Sequence, residues 1–382
     1  MNYSEIAIII FWISIFLTFW AYIGYYIFLK IVAMFYRKDI SKTGDKPFIS
    51  VVVTAYNEEK RIRHKIENIF KTSYPRDKME IIVASDCSTD KTNEIVTSFK
   101  DQGVRLIAFA ERHGKHYCQA EAVQQANGDV VILSDATTFL KEDAIENIIS
   151  NFSDPTIGVV SGMDNILSEE GEVQGEGLYV RYEMALRSLE SKVCSLVGAS
   201  GSFYAVRKDL YENIYGDMSA DFYLPIVAYK NRYRTVLDES AIGYYKILND
   251  PRKEFQRKVR TIVHGIDILI YFRQILNPFK YGFYSFQLLS HKLGRWLVPF
   301  TLITALISSA LLIGHSGFYK AMFVIQVAAY LSSLAAHYVK KLQSSQLFKI
   351  PYFFIMANAS ILVAWIEYLK GERYITWQAT KR

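Results

Sequence analysis

Cysteine is scarce and unpatterned, with Cys87, Cys118 and Cys194 the only three in 382 residues. An odd, scattered set fits neither a disulfide framework nor zinc-type ligand spacing, and it suits a reducing compartment. Internal repeats and low-complexity tracts are also missing, which excludes solenoid and fibrous architectures. No charge of one sign dominates, since the net charge is a modest +6. The basic residues gather at Lys38, Lys42 and Lys46, at Arg252, Lys253, Arg257, Lys258 and Arg260, and at Lys340 and Lys341. Anionic membrane lipid accounts for these clusters more simply than nucleic acid, so no nucleic-acid partner is expected. The first residues lack a basic start and a small-residue cleavage site, which argues against a signal peptide.

What the chain has is apolar surface, at 51% of residues, with 15% aromatic. Ile6 to Leu29 carries no charge and is long enough to cross a hydrocarbon core of roughly 30 Å. Residues 1–36 are therefore expected to be a retained transmembrane anchor. Lys30, Arg37 and Lys38 follow it and place the middle of the chain in the cytoplasm. Three further spans are expected at Leu297–Ile313, Phe318–Val339 and Pro351–Leu369, within a membrane region of residues 291–370. Residues 251–290 are basic and then amphipathic. Ile262–Phe279, with Arg273 and Lys280, is expected as an interfacial helix, the alternative being a surface helix of the soluble part. The expected setting is the plasma (inner) membrane, multi-pass, with membrane lipid as a partner. One anchor before the soluble part and three spans after it would put the tail, residues 371–382, outside. Lys370, Arg373, Lys381 and Arg382, like the loop Lys340–Lys349, favour the cytoplasm instead. A re-entrant or interfacial segment would resolve that conflict.

Between residues 48 and 250 short apolar runs alternate with polar helical stretches. Strands are predicted at Ile49–Thr54, Met79–Ala84, Val104–Phe109 and Val130–Leu133. Helices are predicted at Glu58–Phe70, Asp90–Lys100 and Lys115–Ala126. Strands this apolar between helices indicate a mostly parallel, doubly wound α/β sheet covered on both faces. Further on come a strand at Val159–Val160, a polar loop at Glu169–Gly177 and an amphipathic helix near Leu178–Leu189.

Ligands in such a sheet sit beyond the carboxyl ends of the strands. The run Gly128 to Phe139 ends its strand in Ser134-Asp135-Ala136-Thr137-Thr138. Asp135 is either an oxygen ligand for a hard divalent cation or a cap of the following helix. The first strand ends in Thr54-Ala55-Tyr56-Asn57-Glu58-Glu59, with Tyr56 available to stack on a flat ring. The second ends in Ser85-Asp86-Cys87-Ser88-Thr89-Asp90, where Ser88 or Thr89 would cap the helix and leave Asp86 for a ligand. Three strand ends carrying polar residues to one edge suggest a nucleotide crevice.

These residues resemble the family 2 glycosyltransferases, from about Ile49 to Gly265. The matching segments are Tyr56–Glu59, the turn Asp86–Asp90 with Cys87 where glycine is usual, the pair Gly114-Lys115, and a partial Asp-x-Asp motif at Asp135-Ala136-Thr137. Gly198-Ala199-Ser200-Gly201-Ser202-Phe203 looks like the family's acceptor loop. Asp221 matches its general base, and Arg260 its Gln-x-x-Arg-Trp segment, where Arg257 and Thr261 replace Gln and Trp. The resemblance implies a GT-A fold with one N-terminal and about three C-terminal transmembrane helices. It implies nucleotide binding at Ala55, Tyr56, Glu58, Asp86, Lys115, Arg257 and Arg260. Acceptor contacts would fall at Gly198, Ser200 and Gly201, and Mg2+ or Mn2+ would be held by Asp135 and Thr137. The implied activity is inverting transfer of a hexosyl unit, from a nucleotide sugar (UDP by preference) to a growing cell-surface polysaccharide. Transfer to a lipid-phosphate or lipid-linked acceptor is the alternative. A reading of another class is a noncatalytic scaffold with a degenerate nucleotide-sugar fold.

Overall fold

The computed structural model describes residues 2–166, 175–211, 218–245 and 251–374. Its centre is an eight-stranded mixed sheet: β1 (Ile49–Ala55), β2 (Met79–Ser85), β3 (Val104–Ala108), β4 (Val130–Asp135), β5 (Phe139–Leu140), β6 (Ile157–Ile166), β7 (Phe203–Arg207) and β8 (Arg234–Tyr245). The order across it is β3-β2-β1-β4-β7-β6-β8-β5. β1, β2, β3 and β4 form a parallel half, in which Thr54 pairs with Asp135 and Ala55 with Ser85. Their carboxyl ends thus share one edge. β7 then enters antiparallel to both β4 and β6, and β8 runs parallel to β6. All seven residues of β1 are buried, as an apolar strand covered on both faces requires.

The helices of this domain are α2 (Ile62–Phe70), α3 (Thr92–Thr97), α4 (Lys115–Gln124), α5 (Ala144–Ser150), α6 (Gly175–Val193), α7 (Ala220–Lys230) and α8 (Pro251–Tyr271). Two predicted helices start too early. Glu58 belongs to the turn before α2, its carbonyl accepting from Arg61 N at 2.9 Å. Asp90 precedes α3, accepts from Thr92 N at 2.9 Å and does the capping expected of Ser88 or Thr89. The strand predicted at Val159–Val160 extends over the whole of β6. Of the predicted loop Glu169–Gly177, residues 169–174 lie outside the described residues and 175–177 begin α6. The stretch expected as a separate interfacial helix at Ile262–Phe279 is instead the second half of α8, followed by a tight turn at Arg273–Leu276. Val259, Val263 and Ile266 bury one face of α8, while Ile270 and Tyr271 are exposed.

Among the described residues, four helices are long and apolar enough to cross a membrane: α1 (Tyr3–Phe35), α9 (Phe283–Leu311), α10 (Gly317–Tyr338) and α11 (Gln346–Leu369). α1 and α9 are antiparallel and each contains a π-helical turn, at Trp20–Gly24 and Leu289–Leu293. Such turns re-aim side chains without ending a helix. Here they sit where the membrane helices meet α6. His291 Nε2 lies 3.0 Å from Glu183 Oε1 and its Nδ1 lies 2.8 Å from Glu190 Oε1. Arg295 Nη1 donates to Glu183 Oε2 at 2.7 Å, and the Tyr25 hydroxyl donates to Glu190 Oε1 at 2.9 Å. Buried charges persist only when paired in this way, so the cluster ties the sheet domain to the long apolar helices α1 and α9.

Candidate active site

The strand edge predicted from the sequence opens into a cavity of about 340 Å³. Among its lining residues are the carboxylates Glu58, Asp135, Asp164 and Asp221 and the cations Lys115, Arg187, Arg257 and Arg260. β4 delivers Asp135 by ending there, and Thr138 N closes a turn on the Asp135 carbonyl at 3.1 Å. That turn leaves Thr137 in the cavity wall beside it. Lys115, in the first turn of α4, puts its ammonium 2.5 Å from Asp135 Oδ1 and 2.9 Å from the Gly201 carbonyl. Gly114 before it has φ +92°, a left-handed conformation that favours glycine.

Asp221 stands in the first turn of α7, its Oδ1 accepting from the Ser219 hydroxyl. Gly201 faces it so closely that an added Cβ would lie 2.9 Å from Asp221 Oδ2. The glycine is therefore what lets Asp221 and the 198–203 loop share one wall. His116 supports the same helix start, its Nδ1 accepting from Ala220 N at 3.4 Å. Burial, with Lys115 beside it, pushes His116 down to about 3. It is a neutral acceptor here and not an acid. Burial also lowers the Arg260 guanidinium, with Arg257 adding to the effect. Arg260 makes no ion pair among the described residues, whereas Arg257 pairs with Glu254 at 2.5 Å. Burial raises the Glu58 carboxyl, although Arg61 opposes the shift.

The structure brings Glu58, Lys115, Asp135, Thr137, Gly201, Asp221, Arg257 and Arg260 together around the cavity. It does not bring the other predicted residues there. Asp86 is buried, and its two oxygens accept from Arg112 Nε, His113 N and Gly114 N at 3.1, 2.8 and 3.1 Å. Rather than standing free for a ligand, it holds the loop that launches α4. Tyr56 carries the Arg112 guanidinium 3.4 Å from its ring centroid, and neither it nor Ala55 is in the cavity wall. Cys87, where glycine was expected, has φ +57°, the conformation for which glycine is best suited. Ser200 is buried and donates to Asp164 Oδ1 at 2.6 Å. Gly198 faces Lys292, with a Cβ position 3.4 Å from its ammonium.

Asp164, Arg187, His264 and Tyr374 line the cavity and were missed. Asp164 lies near the carboxyl end of β6, beyond the apolar run Ile157–Val160, and goes unseen when the strand is cut short at Val159–Val160. Arg187 gives no strand-end signal, because it lies in mid-helix among other charges. The oxygen donors of Asp135 and Thr137 suit a hard cation that keeps waters and substrate phosphate as its remaining ligands. No cluster of three His, Cys, Asp or Glu residues with metal-site geometry occurs among the described residues.

Residues 50–214 match the model of Glycosyl transferase family 2. The chain is 29% identical over 131 residues to a dolichyl N-acetyl-α-D-glucosaminyl phosphate 3-β-D-2,3-diacetamido-2,3-dideoxy-β-D-glucuronosyltransferase of Methanococcus voltae, over 32% of this chain and 40% of that one. It is 27% identical over 198 residues to a poly-β-1,6-N-acetyl-D-glucosamine synthase of Staphylococcus epidermidis, over 50% of this chain and 47% of that one. The chain thus spans less than half the length of these curated relatives. Its fold matches a mannosyltransferase from Pyrobaculum calidifontis, solved in complex with GDP-Man and Mn2+. The TM-score is 0.74 at 21% identity, over 95% of this chain and 99% of that one.

Proposed function

Residues 50–214 are a glycosyl transferase family 2 domain, and from that premise we propose that the cavity transfers a hexosyl unit from a nucleoside-diphosphate sugar, with inversion, to a growing cell-surface polysaccharide. The observation that carries this reading is the joint placement of Asp221 and the cations Lys115 and Arg260 in one cavity wall. An acceptor hydroxyl oxygen would attack the anomeric carbon as its bond to the diphosphate oxygen breaks. Asp221 takes the hydroxyl proton, and the electron pair of the broken bond leaves with the diphosphate. Lys115 and Arg260 offset the charge that develops on the leaving group, the kind of electrostatic term that usually contributes most. A positioned base contributes roughly 10²–10⁴-fold.

Mg2+ or Mn2+ held by Asp135 and Thr137 would supply Lewis-acid neutralisation of the diphosphate when bound. The sheet domain is placed in the cytoplasm, at the inner membrane. Nucleotide contacts are assigned to Glu58, Lys115, Arg257 and Arg260. Tyr56 and Asp86 act through the loop they hold. A lipid-linked acceptor is the second reading, favoured by Arg187. Its Nε and Nη1 are buried without a hydrogen bond, Nε facing Glu183 Oε1 at 3.5 Å, and it reaches the cavity from α6, the helix that packs on α1.

Purified full-length protein in detergent, given a panel of nucleotide sugars with and without Mn2+, tests the reading. Asp221→Asn should abolish transfer and leave nucleotide binding within a few-fold of the native protein. Loss of binding instead would remove Asp221 from the role of base. Product partition separates the two acceptors: a long water-soluble polymer, or a product extracted into organic solvent.

A further inference from the structure

A depth scale across the membrane follows from α1 and α9. Ser14 meets Thr304 at 2.7 Å and Thr18 meets Thr301 at 2.8 Å. At the far end Phe11 packs with Leu312 and Tyr319. At the near end Tyr25 and Leu29 pack on Leu186 of the sheet domain. α10 begins at the far end with Tyr319 and runs back along α9, Gln326 Nε2 donating to the Leu302 carbonyl at 2.8 Å. From Gln326 to His337 it advances about 16 Å at 1.5 Å per residue, so it ends on the side of the sheet domain.

α11 does not repeat the crossing. Near its start, Tyr352 places its hydroxyl 3.4 Å from His337 Nδ1. Its middle meets Tyr22, with Asn358 Oδ1 at 3.4 Å and the Phe354 ring at 5.2 Å. Near its end Trp365 Nε1 donates to the Trp296 carbonyl at 2.9 Å, while Ala364 packs on Val259 and Val263 of α8. A perpendicular span of 24 residues would cover roughly 36 Å of depth, yet every one of these contacts lies on the sheet-domain side of the Thr18–Thr301 contact. The chain beyond stays there too. Arg373 Nε is 3.2 Å from Asp267 of α8, and the Tyr374 carbonyl is 3.2 Å from His264 Nε2 at the cavity.

We propose that α11 lies in the plane of the membrane on the side of the sheet domain, as a docking helix for the headgroup–acyl boundary of that leaflet. Leu347, Ile350, Ile366 and Leu369 along it are 76, 60, 44 and 78% exposed. An apolar surface of this kind, continuous with membrane-crossing helices, is one that lipid covers. Charge points the same way. The placement puts Lys340, Lys341, Lys349, Lys370 and Arg373 on one side together with Lys30, Arg37 and Lys38, and leaves Lys320 at the far end. That is the asymmetry expected of a cytoplasmic face. It also leaves three crossings, α1, α9 and α10, and so returns the tail to the side of the cavity.

The test uses the full chain in sealed membrane vesicles and a membrane-impermeant maleimide. One exposed cysteine each is introduced by Ser316→Cys, Ser345→Cys and Lys370→Cys, in a Cys87→Ser background whose remaining Cys118 and Cys194 are buried. Native Cys87 reports the sheet-domain side. Ser345→Cys and Lys370→Cys should label from the same side as Cys87, and Ser316→Cys from the opposite side. Labelling of the first two from opposite sides would overturn the placement. Nitroxides at Leu347, Ile355 and Ile366 give an independent reading of depth. They should sit at one shallow depth, and a maximum at Ile355 between two interfaces would mean a crossing helix.

Discussion

Lys65 projects from α2 under the turn that carries Asp135 and Thr137. Its ammonium donates to Ser134 Oγ at 2.7 Å and to the Thr138 carbonyl at 2.5 Å, so one buried cation pins both ends of that turn. Burial pushes its pKa from 10.5 down to about 7, against the upward pull of Asp135. Between those values the unfolded chain binds the proton more strongly than the folded one, and stability from this group rises with pH. Below about pH 7 both states are protonated and the full cost of the buried charge is present. Thermal unfolding followed from pH 6 to pH 9 should show this rise in the native protein and a flatter profile in Lys65→Met. Parallel profiles would mean that the lysine keeps its charge throughout. Asp221 illustrates a different point about single residues: its place in the cavity wall was legible, whereas the neutral His116 that props its helix was not. A histidine in a helix gives no sign in the sequence of what it will face.

At the scale of elements, the four parallel strands were legible almost to the residue. Each is a short, mostly apolar run, and β1, β2 and β4 are buried along nearly their whole length. The helix starts were less legible because Glu58 and Asp90 fit a helix by propensity, but here they serve turns and caps. The antiparallel half was harder still. β6 ends in polar residues, and Asp164, Ser200 and Ser202 bond one another across elements far apart in sequence. The Asp86 turn shows the same limit, since nothing in the sequence tells that Asp86 is buried and braces the loop before α4. The loop before β7 offers a direct test of such packing. Gly201→Ala would put a methyl 2.9 Å from Asp221 Oδ2 and force the carboxylate aside. Misplacement by an ångström costs on the order of 10²-fold in rate. Turnover should fall by that order with nucleotide affinity and circular dichroism unchanged, and unchanged turnover would mean that the loop yields instead.

For the whole molecule, the decisive contacts are those between α6 and the membrane helices. Glu183 receives Arg295 and His291 from α9 and faces Arg187 Nε at 3.5 Å. Removing one member of a buried pair leaves the others uncompensated, typically at about 3–5 kcal/mol. Glu183→Ala should therefore lower the unfolding midpoint of the detergent-solubilised protein sharply, by far more than Glu239→Ala at an exposed pair on the same domain. Equal effects would show that the cluster is hydrated and weak. The number of apolar segments was legible from the sequence, because roughly twenty uncharged residues admit few alternatives. Their arrangement was not, because in-plane and crossing helices share one composition.

The Glu183 cluster also bears on how such a chain can change over generations. Two of its side chains, Glu183 and Glu190, come from the sheet domain and two, His291 and Arg295, from α9, so neither half can be exchanged for another lineage's without stranding the remainder. A shuffled descendant would have to replace Glu183, Glu190, His291 and Arg295 in concert. The two parts are thus expected to be inherited as a unit.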